Sequence, residues 1–419
     1  MADRPDQRLD QLPPHLHEAH RVLAYGAAQI LPQDGLAERL LAADQQDRPL
    51  RVKFGIDPSG SDLTLGHAVV LRKLRQFQDF GHTAVLVVGG FTGQVGDPSG
   101  KTATRSAQSA EQVRANASGY FDQLMRILLP ERTEIRNNAD WLSSLGLADL
   151  LAYTQQLTVA QLLERDDFAR RFAGQVPITL SEFFYPLLQG IDSVEIDADI
   201  ELGGTDQTFN NLVGRTLQRA RGLPAQAVLT MPLLVGIDGV EKMGKSLNNF
   251  VAITEPADEQ FGKLMRIPDT VVESYATLCT AMHPDELAEL ASEVAVGGSR
   301  ANVAKRQVAR AVVALYHGKD AAEAAEARFN AIFRDHALPQ DAPEFQVDLG
   351  QTVHLPALLV AAGLAASSSE SRRLIDAGGV KIDGVPVAAR QYDLPAADVA
   401  GRLLSVGKRK VVRITQVTI

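Results

Sequence analysis

The clearest pattern of hydrophobic and polar positions lies between residues 51 and 88. Residues 51–56 are β-like, and residues 66–80 carry apolar side chains at helical spacing until Gly81 ends the helix. Residues 83–88 form an unbroken apolar run rich in β-branched side chains, which is typical of a strand buried on both faces. Strand, helix and strand in this order predict a parallel sheet with a right-handed crossover.

Similar patterns extend this α/β domain over residues 1–254. The further predicted strands are residues 134–137, 199–202 and 227–230. The first 50 residues are interpreted as amphipathic helix, and their closely spaced histidines as solvated surface. Residues 109–193 are mostly helical in pattern, so we interpret them as an insertion between the two halves of the sheet.

The rest of the chain divides into three parts. Residues 255–338 are helical throughout and predict a second, all-helical domain. Residues 339–352 contain two prolines among acidic and amide residues, which predicts a linker. Residues 353–419 predict a small α+β module with helices near 355–362 and 369–377, followed by short strands and glycine turns.

Composition and charge narrow the class of protein. The 419 residues are 45% hydrophobic and 22% charged, which excludes a disordered chain. A net charge of −9 argues against a general polyanion binder. Residues 353–419 nevertheless carry nine Lys and Arg against five Asp and Glu, so the C-terminal module is basic.

Cysteine content and hydropathy indicate the compartment. Cys279 is the only cysteine, which excludes an intrachain disulfide and a cysteine-based zinc site and favours a cytoplasmic location. No apolar run approaches the roughly 20 residues that a transmembrane helix requires. We therefore expect neither membrane insertion nor a bound structural metal.

Two candidate phosphate-binding segments follow the first two strands. Residues 57–67 end in Gly66-His67 at a helix N-terminus, where free N–H groups favour a phosphate. The alternative is a packing glycine with His67 as a surface cap. Residues 89–102 end in Gly-Lys-Thr, but Val95 stands where a P-loop requires glycine, and the dinucleotide pattern is absent. Asp97 in this loop is a candidate partner for a cationic ligand group, unless the loop is only a tight turn.

A polar stripe runs along the predicted helix near residue 185. Tyr185, Gln189 and Asp192 stand at i, i+4 and i+7, which places them on one helical face. The stripe is either a solvated face or the wall of a pocket for a small polar molecule. Residues 203–207, Gly-Gly-Thr-Asp-Gln, follow a strand, and Asp206 there is a candidate ribose ligand or helix cap.

A loop with two lysines follows the last strand of the sheet. Its sequence is Glu-Lys-Met-Gly-Lys-Ser at residues 241–246, and we call it the lysine loop. Lys242 and Lys245 suit a transferring polyphosphate, because the charge that develops on pyrophosphate requires nearby cations. A solvated basic loop is the alternative.

Together these segments resemble the class I aminoacyl-tRNA synthetases. Residues 64–67, Thr-Leu-Gly-His, are similar to the His-Ile-Gly-His signature, and residues 242–246 are similar to the Lys-Met-Ser-Lys-Ser signature. Residues 96–101, 185–192 and 203–207 resemble motifs of tyrosyl-tRNA synthetases, in the same order and over nearly the whole chain. Residues 369–384 resemble the alpha-L RNA-binding domain of the bacterial enzymes.

The resemblance implies both a fold and a set of partners. The fold is a Rossmann-like parallel-sheet catalytic domain with a helical insertion, an all-helical anticodon-binding domain and a small α+β RNA-binding domain. The partners are tyrosine, the tRNA for tyrosine and a second copy of the chain, whose interface is expected near residues 115–190. ATP with Mg²⁺ is expected as a substrate, with no tightly bound cofactor.

The resemblance also implies a role for each matching residue. The catalytic set is Thr64, His67, Lys242 and Lys245. The ATP-binding set is Asp57, Gly66, His67, Gly203, Gly204, Asp206, Met243, Lys245 and Ser246. The tyrosine-binding set is Asp97, Tyr185, Gln189, Asp192 and Gln207, with Asp192 accepting the phenolic hydrogen bond. The RNA-binding set is Arg372, Arg373, Lys381, Lys408, Arg409 and Lys410.

Several positions depart from the family pattern. Thr64 replaces the first histidine of its signature, and Gly244 replaces the central serine of the lysine signature, which is expected to make that loop more flexible. Lys53 and Phe54 stand where some members have a second phenol-contacting tyrosine, so selectivity is expected to depend on Asp192. Two alternatives remain open: a tryptophanyl enzyme of the same subclass, and a catalytically weak homologue that acts as an RNA-binding module.

Overall fold

A computed structural model of the protein describes residues 11–57, 62–98, 121–333, 342–407 and 410–416. The chain divides into two units, residues 1–322 and residues 323–419, and each is described by itself. The predicted boundary between the sheet domain and the helical domain, at residue 254, lies inside the first unit.

A six-stranded sheet forms the centre of the first unit. Its strands are β1 (Gln29–Leu31), β2 (Arg51–Ile56), β3 (Thr83–Val88), β4 (Thr133–Asn137), β5 (Ile200–Gly204) and β6 (Ala227–Met231). Their spatial order is β1-β6-β5-β2-β3-β4, and every pair is parallel except β1 with β6. The parallel sheet and its five predicted strands are confirmed.

The prediction of continuous helix over the first 50 residues is wrong. Two helices, α1 (Pro14–Ala24) and α2 (Gly35–Gln45), lie on either side of β1 in the sequence. The N–H of Ala28 donates to the carbonyl of Thr230 at 2.7 Å, next to the antiparallel pairing of β1 with β6. A strand of three residues is too short to show a period, and its formation depends on a partner that is distant in the chain.

The helices of the sheet domain bury the apolar positions that the sequence pattern marks. Helix α3 (Leu65–Asp79) follows β2, and Leu74 and Phe77 on it are fully buried. The remaining helices are α4 (Thr92–Val95), α5 (Ala139–Leu142), α6 (Leu147–Thr154), α7 (Val159–Leu163), α8 (Asp166–Ala173), α9 (Leu180–Glu195) and α10 (Thr208–Ala220). Gly190 lets α9 approach α10 closely, because a Cβ there would lie 2.8 Å from Val213 Cγ1.

The segment after the sheet is helical, as predicted. Its helices are α11 (Ala257–Leu264), α12 (Val272–Cys279), α13 (Pro284–Val296), α14 (Gly298–His317) and α15 (Lys319–Phe333). The Tyr275 hydroxyl on α12 donates to the carbonyl of Val235 at 2.8 Å, which joins this segment to the sheet domain within the first unit.

The second unit is a small α+β module. Its strands are β7 (Glu344–Val347), β8 (Thr352–His354), β9 (Val380–Ile382), β10 (Val385–Pro386), β11 (Asp393–Pro395), β12 (Leu403–Val406) and β13 (Lys410–Gln416). They form a sheet of order β10-β9-β12-β13-β7 and a separate β11-β8 pair. Helices α16 (Leu355–Ala361) and α17 (Ser368–Asp376) contribute Leu359 and Ile375 to a core that includes Val380 and Ile414.

The predicted linker over residues 339–352 is partly wrong. Residues 339–341 lie outside the described residues, but Glu344–Val347 is strand β7 and pairs in parallel with β13. Phe345 and Val347 pack against the core of the module. The local composition resembles a loop because the strand is short, and its partner is at the opposite end of the module.

The described helices include none that is long and apolar enough to cross a membrane. Within the same residues, no group of three or more histidine, cysteine, aspartate or glutamate side chains is arranged to hold a metal ion.

Candidate active site

A cavity of about 400 Å³ lies at the carboxyl ends of β2 and β5, the edge at which parallel sheets bind ligands. Most of the predicted catalytic, ATP-binding and tyrosine-binding residues line it. They are Asp57, Thr64, Gly66, His67, Asp97, Tyr185, Gln189, Asp192, Gly203, Gly204, Asp206, Gln207, Lys242 and Met243. Lys245 and Ser246 are exposed on a short 3₁₀ turn and are not part of this lining.

The first turn of α3 holds its histidine as a neutral donor. Thr64 is the N-cap residue; its backbone N–H donates to His67 Nδ1 at 3.2 Å, and its Oγ1 lies 2.9 Å from the same nitrogen. Because Nδ1 accepts the backbone proton, the proton of the neutral ring is on Nε2. Desolvation by the surrounding protein, followed by the charges of Lys245 and Lys242, lowers the pKa of His67 to about 4, although the residue is still exposed at the cavity. Thr64 therefore holds His67 in place as a neutral donor. It does not supply a second imidazole, as the first histidine of the family signature would.

The lysine loop meets the start of α3. The N–H of Leu65 donates to the carbonyl of Val251 at 2.9 Å, just beyond the loop. Within the loop, Met243 is buried and Lys242 Nζ lies 3.1 Å from Asp206 Oδ2. The two signature segments, which are distant in the sequence, thus lie at one end of the cavity.

Asn249 links the middle of the lysine loop to the turn that precedes it. Its Oδ1 accepts from the N–H of Gly244 at 2.8 Å, and its Nδ2 donates to Asp238 Oδ2 at 2.6 Å. Gly244 has φ −158°, an extended conformation that any residue adopts. The backbone therefore does not require a glycine at the position where the family signature has serine.

The glycine-rich loop after β3 makes room for a carboxylate. Asp57 accepts from the Tyr185 hydroxyl at 2.8 Å through Oδ2 and from Thr92 Oγ1 at 3.0 Å through Oδ1. A Cβ on Gly89 would lie 1.8 Å from that Oδ1. Burial, followed by the charges of Asp57 and Asp97, raises the pKa of Tyr185 well above its usual value, so its hydroxyl remains a donor to Asp57.

Asp192 is a buried carboxylate with two partners of its own. Trp141 Nε1 donates to Oδ1 at 2.9 Å, and Asn138 Nδ2 donates to Oδ2 at 3.2 Å. Burial raises the pKa of Asp192 to about 7, against the lowering effect of Lys53 and of both hydrogen bonds. Since Tyr185, Gln189 and Asp192 are all buried, the interpretation of their stripe as a solvated face is wrong.

Two further pairs complete the polar side of the cavity. Gln207 Nε2 donates to Asp97 Oδ2 at 2.8 Å. Gln189 Nε2 donates to Glu201 Oε1 at 3.1 Å, and Glu201 in turn forms an ion pair of 2.9 Å with Lys53 Nζ. Lys53 therefore lies behind the helix that carries Gln189, where its side chain is fully buried.

The predicted RNA-binding residues that the structure describes belong to the second unit. Arg372 and Arg373 are exposed on α17, Lys410 is exposed at the start of β13, and Lys381 on β9 is half-buried. Arg372 also stacks over the Tyr392 ring at 5.5 Å. The two other predicted residues, Lys408 and Arg409, lie outside the described residues.

Sequence reasoning did not identify several residues of the site. Thr92, Asn138 and Trp141 hold Asp57 and Asp192, and Glu201 supports Gln189. The resemblance places Lys53 near the pocket but does not predict its contact with the Gln189 carbonyl. A signal was present for Asn138, which directly follows a strand at the ligand-binding edge, and for Glu201, a charge inside a strand that is otherwise apolar or glycine.

Comparison with known proteins identifies the family. The model described as tRNA synthetases class I (W and Y) matches residues 45–334, and the S4 domain model matches residues 354–399. The tyrosine–tRNA ligase of Moorella thermoacetica is 46% identical over 394 residues, which cover 94% of this chain and 95% of that protein. The enzyme of the same name from Desulfotalea psychrophila is 43% identical over 402 residues, covering 96% and 98%. The chain belongs to the tyrosine–tRNA ligase family.

A solved structure supports the fold of this tyrosine–tRNA ligase family member. A C-terminally truncated mitochondrial tyrosyl-tRNA synthetase from Aspergillus nidulans superimposes with a TM-score of 0.63 at 21% identity, over 78% of this chain and 99% of that chain. The predicted family resemblance and the small C-terminal module are confirmed. The tryptophanyl alternative is not favoured, because the curated relatives at this similarity are tyrosine–tRNA ligases.

Proposed function

We propose that this chain activates tyrosine with ATP to form tyrosyl-adenylate and pyrophosphate, and then transfers tyrosine to the 3′ end of its tRNA. The observation that carries the proposal is a single cavity lined by the buried polar face of α9, the first turn of α3 and the lysine loop. The face of α9 suits a small polar molecule, and the other two elements suit a phosphate chain. Membership of the family supports the same reaction.

Tyrosine is held at both ends in this proposal. Asp97, Tyr185 and Gln189 bind the α-ammonium group, and Gln207 holds Asp97 in place. The Tyr185 hydroxyl donates a hydrogen bond to Asp57, so its oxygen keeps a lone pair that can accept from the ammonium group. Asp192 accepts the phenolic hydrogen. Phenylalanine is rejected because it would exclude water from this buried carboxylate without supplying a further donor beside Trp141 and Asn138.

ATP lies across the start of α3 and the lysine loop in this proposal. The Gly66 backbone and His67 Nε2 hold the α-phosphate, while Lys242 and Lys245 stabilise the leaving pyrophosphate. Thr64 acts by positioning His67. The remaining nucleotide-binding residues are Asp57, Gly203, Gly204, Asp206, Met243 and Ser246. When the ribose binds Asp206, it replaces the contact that this carboxylate makes with Lys242.

The chemistry requires no covalent nucleophile from the protein. A carboxylate oxygen of tyrosine attacks the α-phosphorus of ATP, and the bond from that phosphorus to the oxygen of pyrophosphate breaks. A terminal adenosine hydroxyl of tRNA then attacks the acyl carbon, and AMP leaves. Mg²⁺ enters with ATP as part of the substrate. The side chains contribute positioning and charge stabilisation.

The two domains after the sheet are proposed to bind tRNA. Within the second unit, the basic module at residues 353–419 presents Arg372, Arg373 and Lys410 to solvent, which suits contacts with phosphates. Lys381, Lys408 and Arg409 are included as predicted contacts. The helical segment, residues 255–338, is proposed to bind the anticodon arm.

The helical insertion is proposed to form a homodimer interface near residues 115–190. Leu147, Phe172 and Leu180 are exposed by 73%, 66% and 76%, respectively. Exposed apolar surface of this kind is typical of a protein interface.

We place the reaction in the cytoplasm, where aminoacylated tRNA is used.

The test is exchange of labelled pyrophosphate into ATP, measured with tyrosine, tryptophan and phenylalanine separately. We expect exchange with tyrosine alone, and we expect Asp192→Ala to abolish it or to admit phenylalanine. Exchange with tryptophan would contradict the proposed substrate. Absence of exchange with all three would support a homologue that only binds RNA.

A further inference from the structure

A buried ion pair joins two neighbouring strands behind the tyrosine-binding helix. Lys53 on β2 and Glu201 on β5 are directly opposite in the parallel register, and Lys53 Nζ lies 2.9 Å from Glu201 Oε1. Their side chains are 0% and 1% exposed. Burying two charges is costly unless further hydrogen bonds satisfy them, so such a pair requires an explanation.

Each charge of this pair is satisfied by the face of α9 that turns away from solvent. Lys53 Nζ also donates to Ser193 Oγ at 2.7 Å and to the carbonyl of Gln189 at 2.8 Å, which uses all three of its protons. Glu201 accepts from Ser193 Oγ at 3.0 Å, from Gln226 Nε2 and from Gln189 Nε2 at 3.1 Å. Gln189 Nε2 also donates to Asn211 Oδ1 at 2.9 Å, so its NH₂ group has two acceptors, of which Glu201 is the charged one. The charges of the pair are thus satisfied, and the pair contacts the cavity-lining residue Gln189 directly.

The consequence lies in the orientation of the Gln189 amide. A carboxylate such as Glu201 can only accept hydrogen bonds, so Gln189 must turn its NH₂ group towards it. The amide oxygen is then the end that remains for a ligand. The opposite orientation would direct an NH₂ group towards the cationic end of the substrate.

We propose that the buried Lys53–Glu201 pair fixes the amide of Gln189 so that its oxygen faces the tyrosine α-ammonium group, and thereby sets the affinity for that group. The inference rests on the proposed function, because it assumes that Gln189 binds the ammonium. Lys53 and Glu201 are positioning residues here, since neither touches the substrate.

The test compares two ligands that differ only in the amino group. Dissociation constants are measured for tyrosine and for 3-(4-hydroxyphenyl)propanoate. The factor by which tyrosine binds more tightly, called the ratio below, measures the contribution of the ammonium contacts. In Lys53→Met/Glu201→Met both charges are replaced by apolar side chains of similar length, and the Gln189 amide loses its charged acceptor. Asn211 Oδ1 remains as a neutral acceptor, but an amide can turn either its oxygen or its NH₂ group towards Gln189 and so does not fix the orientation. We expect tyrosine to bind about tenfold more weakly, since a charge-assisted hydrogen bond contributes at least that factor, and the amine-free ligand to change less than about twofold.

A conservative variant separates orientation from charge. In Glu201→Gln, the amide oxygen remains opposite Lys53 Nζ and can still accept from Gln189, so the ratio should stay within about threefold of the original protein. The proposal would be overturned if Glu201→Gln lost the preference for tyrosine over the amine-free ligand. It would also be overturned if the double variant weakened both ligands equally or changed the binding of neither.

Two further variants make the result decisive. Lys73→Met removes another buried lysine of the same domain, which donates to the carbonyls of Val22 and Tyr25 at 3.2 and 2.9 Å, and it should lower the Tm without changing the ratio. If the double variant fails to fold, Lys53→Leu/Glu201→Leu serves in its place. It again removes both charges together, so no unpaired charge stays buried and the same loss is expected.

Gln189→Ala distinguishes this inference from the proposed function. If Gln189→Ala lowers the ratio but the double variant does not, only the role of the ion pair is wrong. If Gln189→Ala leaves the ratio unchanged, the assignment of Gln189 to the ammonium group is wrong, and the inference falls with it.

Discussion

The local surroundings of individual side chains determine their protonation states in the candidate site. His67 is neutral above pH 5 because desolvation and two lysines lower its pKa to about 4, whereas burial raises the pKa of Asp192 to about 7. The proposed donor to the α-phosphate is thus constant over the physiological range. The proposed acceptor of the phenolic hydrogen is expected to depend on pH.

Asp192 makes tyrosine binding sensitive to pH. Its pKa is raised, so the carboxyl is protonated below pH 7 and ionised above it, and only the ionised form is a strong acceptor. We expect the dissociation constant for tyrosine to be about tenfold larger at pH 6 than at pH 8, since only about a tenth of the carboxyl is ionised at pH 6. Titration by calorimetry measures this. Asp192→Asn should bind weakly and without the pH dependence, and a flat profile for the unmodified protein would contradict the role of Asp192.

Thr64 has a structural role that its departure from the family signature does not suggest. In Thr64→Ala the N-cap side chain is lost, and we expect the free energy of unfolding to fall by about 1 kcal/mol and the exchange rate to decrease as His67 loses its Oγ1 contact. Thr64→Ser retains the hydroxyl and should match the original protein in both properties. Urea denaturation and pyrophosphate exchange make the comparison; equal loss in both variants would contradict this role.

At the scale of the element, the two glycine-containing loops of the site serve different purposes. The loop after β3 needs glycine because the Asp57 carboxylate occupies the space of a side chain at Gly89. The lysine loop has no such need at Gly244, where a Cβ would meet its nearest neighbour, the Lys242 carbonyl, at 3.8 Å. The same residue type is thus required in one loop and replaceable in the other.

Gly89→Ala should damage the tyrosine site. The new Cβ would lie 1.8 Å from Asp57 Oδ1, so the carboxylate must move away from Tyr185. We expect tyrosine affinity to fall at least about tenfold, the usual effect of losing a charged hydrogen bond. Gly262→Ala on α11 is the matched control, since its Cβ would meet nothing within 4 Å. This control should keep full activity and gain about 0.5–1 kcal/mol in the free energy of unfolding.

Gly244→Ser restores the family signature and should be accommodated. The extended backbone at φ −158° accepts a side chain, so the free energy of unfolding should stay constant or rise by up to about 1 kcal/mol. Gly239→Ser provides the contrast, because Gly239 has φ +77° and its Cβ would lie 2.5 Å from Pro268 Cγ. We expect that variant to lose at least about 1 kcal/mol. Chemical denaturation of both variants checks this; similar losses would mean that the lysine loop does need a glycine.

At the scale of the whole molecule, the exposed apolar residues of the insertion support the proposed dimer. They include Leu151 and Val159, which are 53% and 62% exposed, in addition to the residues named above. In a single chain this apolar surface would be exposed to water, which is unfavourable in free energy. Burial between two copies removes the cost.

Phe172→Asp/Leu180→Asp should therefore convert the protein to monomers. Sedimentation of the original chain is expected to give twice the mass of one chain, and sedimentation of the variant the mass of one. Val303→Asp replaces an equally exposed apolar residue on α14, 63% exposed, and should leave the mass unchanged. A double variant that retains the original mass would place the interface elsewhere.

The sequence-based predictions are most accurate for long elements whose apolar pattern lies within the element itself. They fail for short elements that depend on partners distant in the chain. Strand β3 matches its predicted residues because an unbroken apolar run marks burial on both faces. Strands β1 and β7 escape prediction because each is short and depends on a distant partner, β6 or β13. The position of Asn138 after a strand indicates the ligand-binding edge, but nothing local to Asn138 or Trp141 indicates that they hold Asp192.

The sequence by itself determined the groups that chemistry needs and the order in which they occur: a histidine at a helix start, a polar stripe and a pair of lysines. Such information is local, because periodicity and motif spacing are complete within about ten residues. Only the tertiary structure decided that the stripe is buried, that His67 is neutral and that Gln189 donates to the buried carboxylate of Glu201. These properties depend on desolvation and on partners from β2, β5 and α9, which come together only when the sheet and its helices pack.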